Sequence, residues 1–481
     1  GVNYFDEEGR DGSPIYIDER MALAQLTGQL HAPAITGFAA NRTAPSAVYG
    51  NTLFTGQLIQ GLVFATSAGN ILLTPAQAQA IAANLKAGHL EQQFNGQELT
   101  SWDVFTDFTF KPSDRLEFSL GVRYTQDEKT ATYQASVLNG RSILGGAIGS
   151  AQLARSGVLG DVLTATALLN ALGVPGAATI PPSPGYPVPL FGTTFQPTNN
   201  NGDVNRYSFE DEGFTWRLTG LWRATDEWNL YGSYARGRRP EAVGATSPAA
   251  PFGPATFTPV AAETVDSYEV GAKFESTDRR LRFDTALYYY KYENFQTIIQ
   301  LLTTFVPSNA GEASSYGLES QLFFRATPNV DLYGTYAYSH GRFDSGARKG
   351  NSFRLSPDHS LSLGGSFRFA AMGGEFDFRP SFSWQSKVYF DDNNDRAIFQ
   401  TAASQFVPDT RQDELQDGYG LLNLRLGYQP ESRDWALELY ADNVLDEEYI
   451  IDAGNTGDAF GLPSAIAGEP ATYGITFSFR R

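Results

Sequence analysis

The sequence predicts an all-β protein, an up-and-down antiparallel transmembrane β-barrel with about fourteen strands in this chain. Three observations predict it. Apolar and polar residues alternate with a period of two in many short segments, the connections between these segments alternate between short and long, and the apolar face of each segment is almost free of charge. A β-sandwich would not sort its connections by length so consistently.

The alternation is clearest in segments 116–126 and 375–385 and in the last strand. In the first of these, one face carries only large apolar or aromatic residues, Leu116, Phe118, Leu120, Val122 and Tyr124. The same pattern predicts strands, each with a boundary error of about two to four residues, at 1–8, 102–110, 116–126, 214–223, 228–236, 265–275, 281–291, 316–325, 330–339, 359–369, 375–385, 419–428, 433–442 and 473–480.

The connections fall into two classes of length. The short turns are 111–114, 224–227, 275–279, 326–329, 370–374 and 429–434. The long loops are 9–99, 131–205, 237–262, 292–314, 341–356, 391–416 and 446–470. Because turns of one kind then lie at one end of a single sheet, the order is typical of an outer-membrane barrel with short periplasmic turns and longer extracellular loops.

The polar face of the predicted strands carries charges, and it must therefore face the inside. A Lys or Arg at the middle of a bilayer costs about 2–4 kcal/mol, and only a closed sheet satisfies its backbone groups in lipid. So many inward charges favour a wide lumen. The charged residues on this face are Arg217, Glu269, Lys273, Glu319, Asp377, Arg379, Arg425 and Glu438.

Two of the long loops contain helical signals. Segment 74–90 has Thr74 as a candidate N-cap, Pro75 at the first helical position and Gly88 as a stop. Segment 154–176 has a similar stretch that ends near Gly173 and Pro175. We expect these helices to fold the loop tips against each other, while a ligand lid or a partner-binding surface is the alternative.

Composition excludes several classes of function. A net charge of −18 argues against a nucleic-acid partner, and the absence of cysteine excludes disulfides and thiol chemistry. The sequence contains no run of about 18 apolar residues, so it predicts no transmembrane helix. We find no catalytic motif, so we predict no enzyme, no catalytic residue and no cofactor.

We also predict no metal site. The four histidines, His31, His89, His340 and His359, are scattered and are interpreted as loop or wall residues. Segment 391–396 (DDNNDR) begins like a calcium loop, but Arg396 stands where the sixth-position glycine is required and Ala402 stands at the twelfth position. A solvated acidic loop is the default interpretation, with a looser Ca²⁺ site as the alternative.

One concentrated basic spot lies at a predicted outer rim. It consists of Arg236, Arg238 and Arg239, which directly follow a predicted strand. If the ligand is an anionic metal chelate, these arginines are the candidate ligand-binding residues. The alternative is that they pair with neighbouring loop carboxylates.

Five stretches, in this order along the chain, resemble motifs of the TonB-dependent outer-membrane receptors. They are LGVRYTQDEK (120–129), LYGSYARGRRPEA (230–242), ETVDSYEVGAKFE (263–275), NAGEASSYGLESQLFF (309–324) and DNVLDEEY (442–449). In the last stretch, Asn443, Asp446 and Tyr449 match the signature with which the family closes its penultimate strand. Its local physics is that of an Asx-stabilised turn, so the motif marks architecture.

The resemblance implies a twenty-two-stranded barrel in the bacterial outer membrane, with lipid and lipopolysaccharide as neighbours. Members also carry an N-terminal plug domain and a coupling segment for the TonB–ExbB–ExbD system, and neither is found here. We therefore interpret residues 1–481 as the C-terminal portion of such a barrel. Outer-membrane barrels usually finish on an aromatic residue, and the sequence departs from this pattern because Arg480 and Arg481 follow Phe479.

The resemblance further implies energy-coupled uptake of a scarce large solute, with a ferric siderophore or similar metal chelate as first choice and an oligosaccharide as second. Two alternatives from other classes stay open. The first is a passive, porin-like diffusion barrel of about fourteen strands, for which residues 1–481 would supply every strand. An outer-membrane lipase or protease would need a Ser/His or Asp/His constellation, which the sparse histidines disfavour.

Overall fold

A computed structural model of the chain describes residues 1–27, 51–181, 192–301, 304–400, 412–454 and 464–479. It confirms the predicted fold class, because fourteen strands form one antiparallel sheet in which each strand pairs with its neighbours in chain order. The strands are β1 Val2–Ile17, β2 His89–Ser113, β3 Leu116–Val137, β4 Asn205–Arg223, β5 Trp228–Arg239, β6 Glu263–Glu275, β7 Leu281–Glu293, β8 Ala313–Thr327, β9 Val330–Phe343, β10 His359–Ala371, β11 Gly374–Gln385, β12 Tyr419–Pro430, β13 Trp435–Asp442 and β14 Thr472–Phe479.

The two faces of the sheet differ as the alternation predicts. One face, which we call the outer face, presents large apolar side chains to the surroundings, such as Leu218, Val270 and Leu287 at about half of their full exposure. On the opposite, inner face, charges from neighbouring strands pair with one another. Arg425 Nη2 lies 2.7 Å from a carboxylate oxygen of Asp442, so the inner face satisfies its own charges.

Aromatic rings mark two levels on the outer face of β5, β6 and β7. Towards the short turns, the rings of Trp228 and Phe274 are 4.8 Å apart. Towards the long loops, Tyr234, Tyr268 and Tyr289 form a row with ring separations of 5.0 and 6.3 Å. Paired aromatic girdles around an apolar band are typical of a barrel wall that meets lipid.

The first strands are longer than predicted, so the first two long loops are shorter. β1 continues to Ile17 and β2 begins at His89, which reduces the predicted loop 9–99 to residues 18–88. β3 continues to Val137, which reduces the predicted loop 131–205 to residues 138–204. The alternation that lipid imposes ends there, since Tyr133, Ala135 and Val137 of β3 are buried on the inner face, and a strand of 25 residues far exceeds the roughly 9–11 that cross a bilayer.

The described parts of these two loops contribute five helices to a cap at the long-loop end of the sheet: α1 Glu19–Leu26, α2 Thr52–Thr66, α3 Pro75–Ala82, α4 Ile143–Leu153 and α5 Leu159–Leu172. They share one hydrophobic core, in which Leu23, Ile59, Leu144 and Leu169 are fully buried. Among the helices in the described ranges, none combines the length and the hydropathy that a bilayer crossing needs.

The two predicted helices are present, and three further helices were missed. Thr74 caps α3 with a capping box that includes Gln77, as its position before Pro75 predicted. The predicted stop at Gly88 is wrong, because α3 already ends at Ala82. There the Asn84 side chain donates to the carbonyls of Leu172 and Val174 and draws the chain towards α5.

The remaining loops contain short paired strands and one further helix, α6, Ala397–Gln400. The pairs are Ala242–Thr246 with Thr256–Val260, Gln296–Leu301 with Thr304–Asn309, Val388–Tyr389 with Leu415–Gln416, and Ile450–Ala453 with Ala465–Ala467. Single 3₁₀ turns occupy Ala154–Ser156, Ala177–Thr179 and Asn199–Asn201. These loops extend the sheet at the same end as the cap.

Candidate functional site

A cavity of about 1450 Å³, which we call the rim cavity, lies at the long-loop end of β1–β5. Inner-face residues of β2 form one wall, and α1 and residues 193–195 form the roof. The hairpin 242–260 and the paired strands 296–301 and 304–309 close another side. Pockets for drug-sized ligands measure roughly 300–1,000 Å³. The rim cavity therefore has room for a larger solute.

The lining of the rim cavity is mixed. Neutral polar side chains include Gln93, Asn95 and Gln97, which are successive inner-face positions of β2, and apolar ones include Phe195 and Phe209. Small-molecule sites characteristically combine an apolar surface with a few precisely placed polar groups. The arrangement of the described lining residues can bind and orient a solute.

Glu91 fixes the roof segment 193–195 from below. Its side chain is fully buried, and its carboxylate accepts hydrogen bonds from the backbone N–H groups of Thr193, Thr194 and Phe195, the last two at 2.9 and 2.7 Å. Nε2 of His89 lies 3.0 Å from the same carboxylate. Three charge-assisted hydrogen bonds on one buried group make Glu91 the main anchor of this segment.

Glu19, the first residue of α1, anchors the rest of the roof. It is fully buried and accepts hydrogen bonds from the hydroxyl of Ser142 at 2.6 Å and from the N–H of Ile143 at 2.9 Å, where α4 begins. The Ser142 hydroxyl also lies 2.7 Å from that of Thr193. Glu19 and Glu91 are thus linked through the hydroxyls of Ser142 and Thr193 and the backbone N–H of Thr193.

Lys86 joins the two carboxylates from the other side. Its Nζ lies 3.1 Å from Nδ1 of His89 and donates to the carbonyl of Gly140 at 2.7 Å. Burial lowers the pKa of Lys86 to about 8, and burial also raises the pKa of Glu19. Burial thus favours the neutral form of both groups, and the hydrogen bonds that each makes hold the network together.

The structure separates the three arginines of the predicted basic spot. Arg236 lies on the outer face, where its guanidinium stacks over Trp216 and lies 3.1 Å from Asp266. Arg238 forms an almost buried ion pair with Asp211. Arg239 alone lines the rim cavity, and its Nη1 donates to the carbonyl of Gln296 at 3.4 Å.

Among the described histidines, His340 and His359 both contact the ring of Tyr338, whereas His89 belongs to the roof network. Besides His89, His340 lies in β9 with Nδ1 3.6 Å from Asp358, and His359 begins β10 with Nδ1 2.9 Å from the Tyr336 hydroxyl. His31 lies outside the described residues.

The acidic segment 391–396 is not a solvated loop, contrary to the default interpretation. Asp392 and Asp395 are buried. Asp392 accepts hydrogen bonds from the Thr297 hydroxyl and, at 3.1 Å, from the N–H of Arg354. Sequence could not reveal this, because the partners come from loops about 40 and 95 residues away.

Asp391 should make this segment sensitive to pH. Burial and the charge of Asp392 raise its pKa from 3.8 to about 6. Because the folded-state pKa is raised, the protonated Asp391 carboxyl stabilises the folded segment relative to the ionised form. This stabilisation is complete below pH 4 and is lost as the pH rises through 6. We expect Asp391→Asn to slow amide exchange in residues 388–396 at pH 8, because it raises the free energy of local opening by at most about 3 kcal/mol. At pH 4 the substitution should leave exchange unchanged.

The exposed Asp278, in a short turn of the opposite end, provides the control for this prediction. Its pKa is lowered, mainly by the hydrogen bond from the Ser276 hydroxyl. Asp278→Asn should therefore leave exchange in residues 388–396 unchanged at both pH values. Equal exchange in the Asp391→Asn and unsubstituted proteins at pH 8 would contradict the prediction.

Residues 443–449 form an Asx-stabilised turn at the end of β13. The Asn443 side chain accepts from the N–H of Glu447 and donates to its carbonyl, both at 2.9 Å, while Asn443 itself has a φ of 48°. Asp446 Oδ1 accepts from the N–H of Ala471 at 3.0 Å, just before β14. Tyr449 stacks on Tyr419 at 4.5 Å, so these residues connect the last loop to the wall.

Comparison with known proteins decides the family. The family described as TonB dependent receptor-like, beta-barrel, matches residues 9–444. The chain belongs to this family. The resemblance drawn from the five sequence stretches is thereby confirmed, and so is the all-β fold of this receptor barrel.

Curated relatives of this receptor barrel match half of it. The pesticin receptor of Yersinia pestis is 24% identical over 242 residues, which are 50% of this chain and 32% of that protein. The probable TonB-dependent receptor BfrD of Bordetella pertussis is 23% identical over 243 residues, which are 50% of this chain and 30% of that protein. The matched part is therefore about a third of each relative.

Solved structures show the same fold over more of the receptor barrel. The ferric yersiniabactin uptake receptor FyuA from Yersinia pestis matches 81% of this chain and 50% of its own, with a TM-score of 0.55 and 18% identity. The ferric-catecholate import receptor Fiu from E. coli K12 in its closed form also matches 81% of this chain and 50% of its own, with a TM-score of 0.50 and 16% identity. The chain thus spans half the length of these structures.

Proposed function

We propose that this receptor barrel takes up a scarce large solute across the bacterial outer membrane, with a ferric siderophore or similar iron chelate as first choice and an oligosaccharide as second. The observation that carries the proposal is a cavity of about 1450 Å³ at the long-loop end of a TonB-dependent receptor barrel. Transport would be driven by the TonB–ExbB–ExbD system. The protein makes and breaks no covalent bond in this role.

We also propose that the fourteen strands are the C-terminal part of a twenty-two-stranded barrel, with the plug domain and coupling segment on the N-terminal side. Two features support this. Within the described ranges, β1 and β14 each have a single paired neighbour, although a sheet in lipid needs closed edges. The chain also spans half the length of the matched receptor structures.

The proposal is tested by uptake. Cells that carry the gene should accumulate a radiolabelled ferric chelate, and cells in which either the gene or TonB is deleted should not. Uptake that persists without TonB, together with swelling of liposomes in sugar solutions, would contradict energy coupling and favour an open pore.

Within this proposal, Arg239 is the arginine of the basic spot that we expect to contact the solute. Arg236 and Arg238 already bind carboxylates, whereas Arg239 lines the cavity. Arg239→Gln removes a charged donor and should weaken solute binding by about 1.5–3 kcal/mol, which is measurable by fluorescence titration. Arg206→Gln is the matched control, because Arg206 pairs with Glu98 at a solvent-exposed position. Equal affinities of the two variants would contradict this role of Arg239.

A further inference from the structure

We propose that the rim cavity selects a solute whose buried part is electrically neutral and rich in amide, hydroxamate or hydroxyl groups, and that it discriminates against multiply anionic chelates. The inference rests on the proposed function and specifies its substrate class. Three observations support it: the described charged residues of the lining have no excess of positive charge, its basic side chains already have partners, and neutral polar groups are available for hydrogen bonding.

The charged residues that line the rim cavity give it no excess of positive charge. Among the described lining residues, the basic Lys129 and Arg239 stand beside the acidic Asp11, Asp18 and Glu241, whereas the guanidinium of Arg10 lies over Phe94 on the outer face. A trianionic chelate would therefore lose hydration on entry without meeting a net positive charge. A neutral solute loses less hydration and needs no such compensation.

The basic side chains of the lining also have partners already. Lys129 Nζ donates to the carbonyl of Glu241 at 3.1 Å and lies 3.9 Å from Asp127. Arg239 donates one hydrogen bond to the carbonyl of Gln296 and keeps further N–H groups that can donate to a neutral oxygen of the solute, whereas the guanidinium of Arg10 stacks over Phe94 of the outer face at 4.3 Å. An anion would have to compete with these partners for Lys129 and Arg239.

Long-range electrostatics act in the same direction. The chain carries a net charge of −18, and a field of this sign lowers the association rate of anions. Because Arg236 and Arg238 are paired with Asp266 and Asp211, the described part of the rim offers no concentrated basic patch that would reverse the field locally.

Neutral hydrogen-bonding groups, in contrast, are available. The side-chain amides of Asn95 and Gln97 line the cavity and bind no other group within the described ranges. Gln296 also lines the cavity, and its buried Oε1 accepts no hydrogen bond there. An acceptor without a donor repels an anion and favours an N–H or O–H group of a neutral solute.

The test compares two Fe(III) chelates of similar size, a neutral tris-hydroxamate and a trianionic tris-catecholate. Tryptophan fluorescence of the detergent-solubilised receptor, isolated from its native membrane, would report binding at several salt concentrations. We expect the neutral chelate to bind at least tenfold more tightly, with an affinity independent of salt. Equal or tighter binding of the trianion would overturn the inference. If neither chelate bound, the proposed uptake of iron chelates would itself be contradicted.

A charge substitution sharpens the comparison. Asn95→Lys combined with Gln97→Lys places two positive charges on the cavity wall and should shift the preference towards the trianion at least tenfold. Glu98→Lys is the matched control, since Glu98 is the next residue of β2 and lies on the outer face, where it pairs with Arg206. Equal shifts in both variants would mean that the cavity does not set the preference.

Discussion

Leu287→Arg is expected to prevent the barrel from assembling in the membrane. Leu287 is about half exposed on the outer face of β7, opposite Val270 of β6, and lies between the two aromatic girdles. A guanidinium at the middle of the apolar band costs about 2–4 kcal/mol in a transmembrane barrel. Folding into lipid vesicles, followed by the heat-dependent shift in electrophoretic mobility, would measure the loss.

The adjacent residue provides the control. Ala286 faces the inner side and is paired in register with Glu319 of β8, so Ala286→Arg introduces the same group beside a carboxylate. We expect this variant to fold with the efficiency of the unsubstituted protein. If both arginines were tolerated equally, or if Ala286→Arg were the more damaging, the assignment of lipid-facing and lumen-facing sides would be reversed or lost.

The period of two predicted the wall of the barrel because the bilayer imposes it. Wherever a strand meets lipid on one side and polar groups on the other, as between Phe118 and Tyr124 of β3, every second residue must be apolar. Beyond the girdles the strands no longer face lipid, so an apolar outer face is not required, and Tyr133 and Val137 of β3 are buried on the inner face instead. The sequence therefore predicts the upper parts of β1 to β3 as loop, and their pairing is visible only in the structure.

The candidate site was less accessible to sequence reasoning. The three arginines are adjacent in the chain, yet the same period of two places Arg239 on the face opposite to Arg236, and only Arg239 reaches the cavity. The roof anchors were missed altogether. Glu91 resembles any polar residue of a strand, because its partners at 193–195 lie more than a hundred residues further on. One signal was overlooked, since Ser142 precedes an apolar run as an N-cap should.

The largest effect on the cap is expected from Glu91→Ala. The substitution leaves three N–H groups without an acceptor, that of Phe195 buried and those of Thr193 and Thr194 partly buried, and removes the carboxylate beside His89. Breaking a buried arrangement of this kind costs about 3–5 kcal/mol. Amide exchange at residues 193–195 should therefore accelerate at least about a hundredfold, and affinity for the solute should fall, because this segment forms part of the cavity roof.

The wall itself should not respond to this substitution, because Glu91 lies at the very start of β2, beyond the girdles. Glu98→Ala on the same strand removes a carboxylate whose ion pair with Arg206 is more than half exposed, and such pairs contribute about 0–1 kcal/mol. The two variants should thus show the same heat-dependent shift in electrophoretic mobility. They should differ only in the rate of amide exchange at residues 193–195. If Glu91→Ala exchanged no faster than Glu98→Ala at residues 193–195, the roof would be held by the apolar core of the cap, and the carboxylate network would have no positioning role.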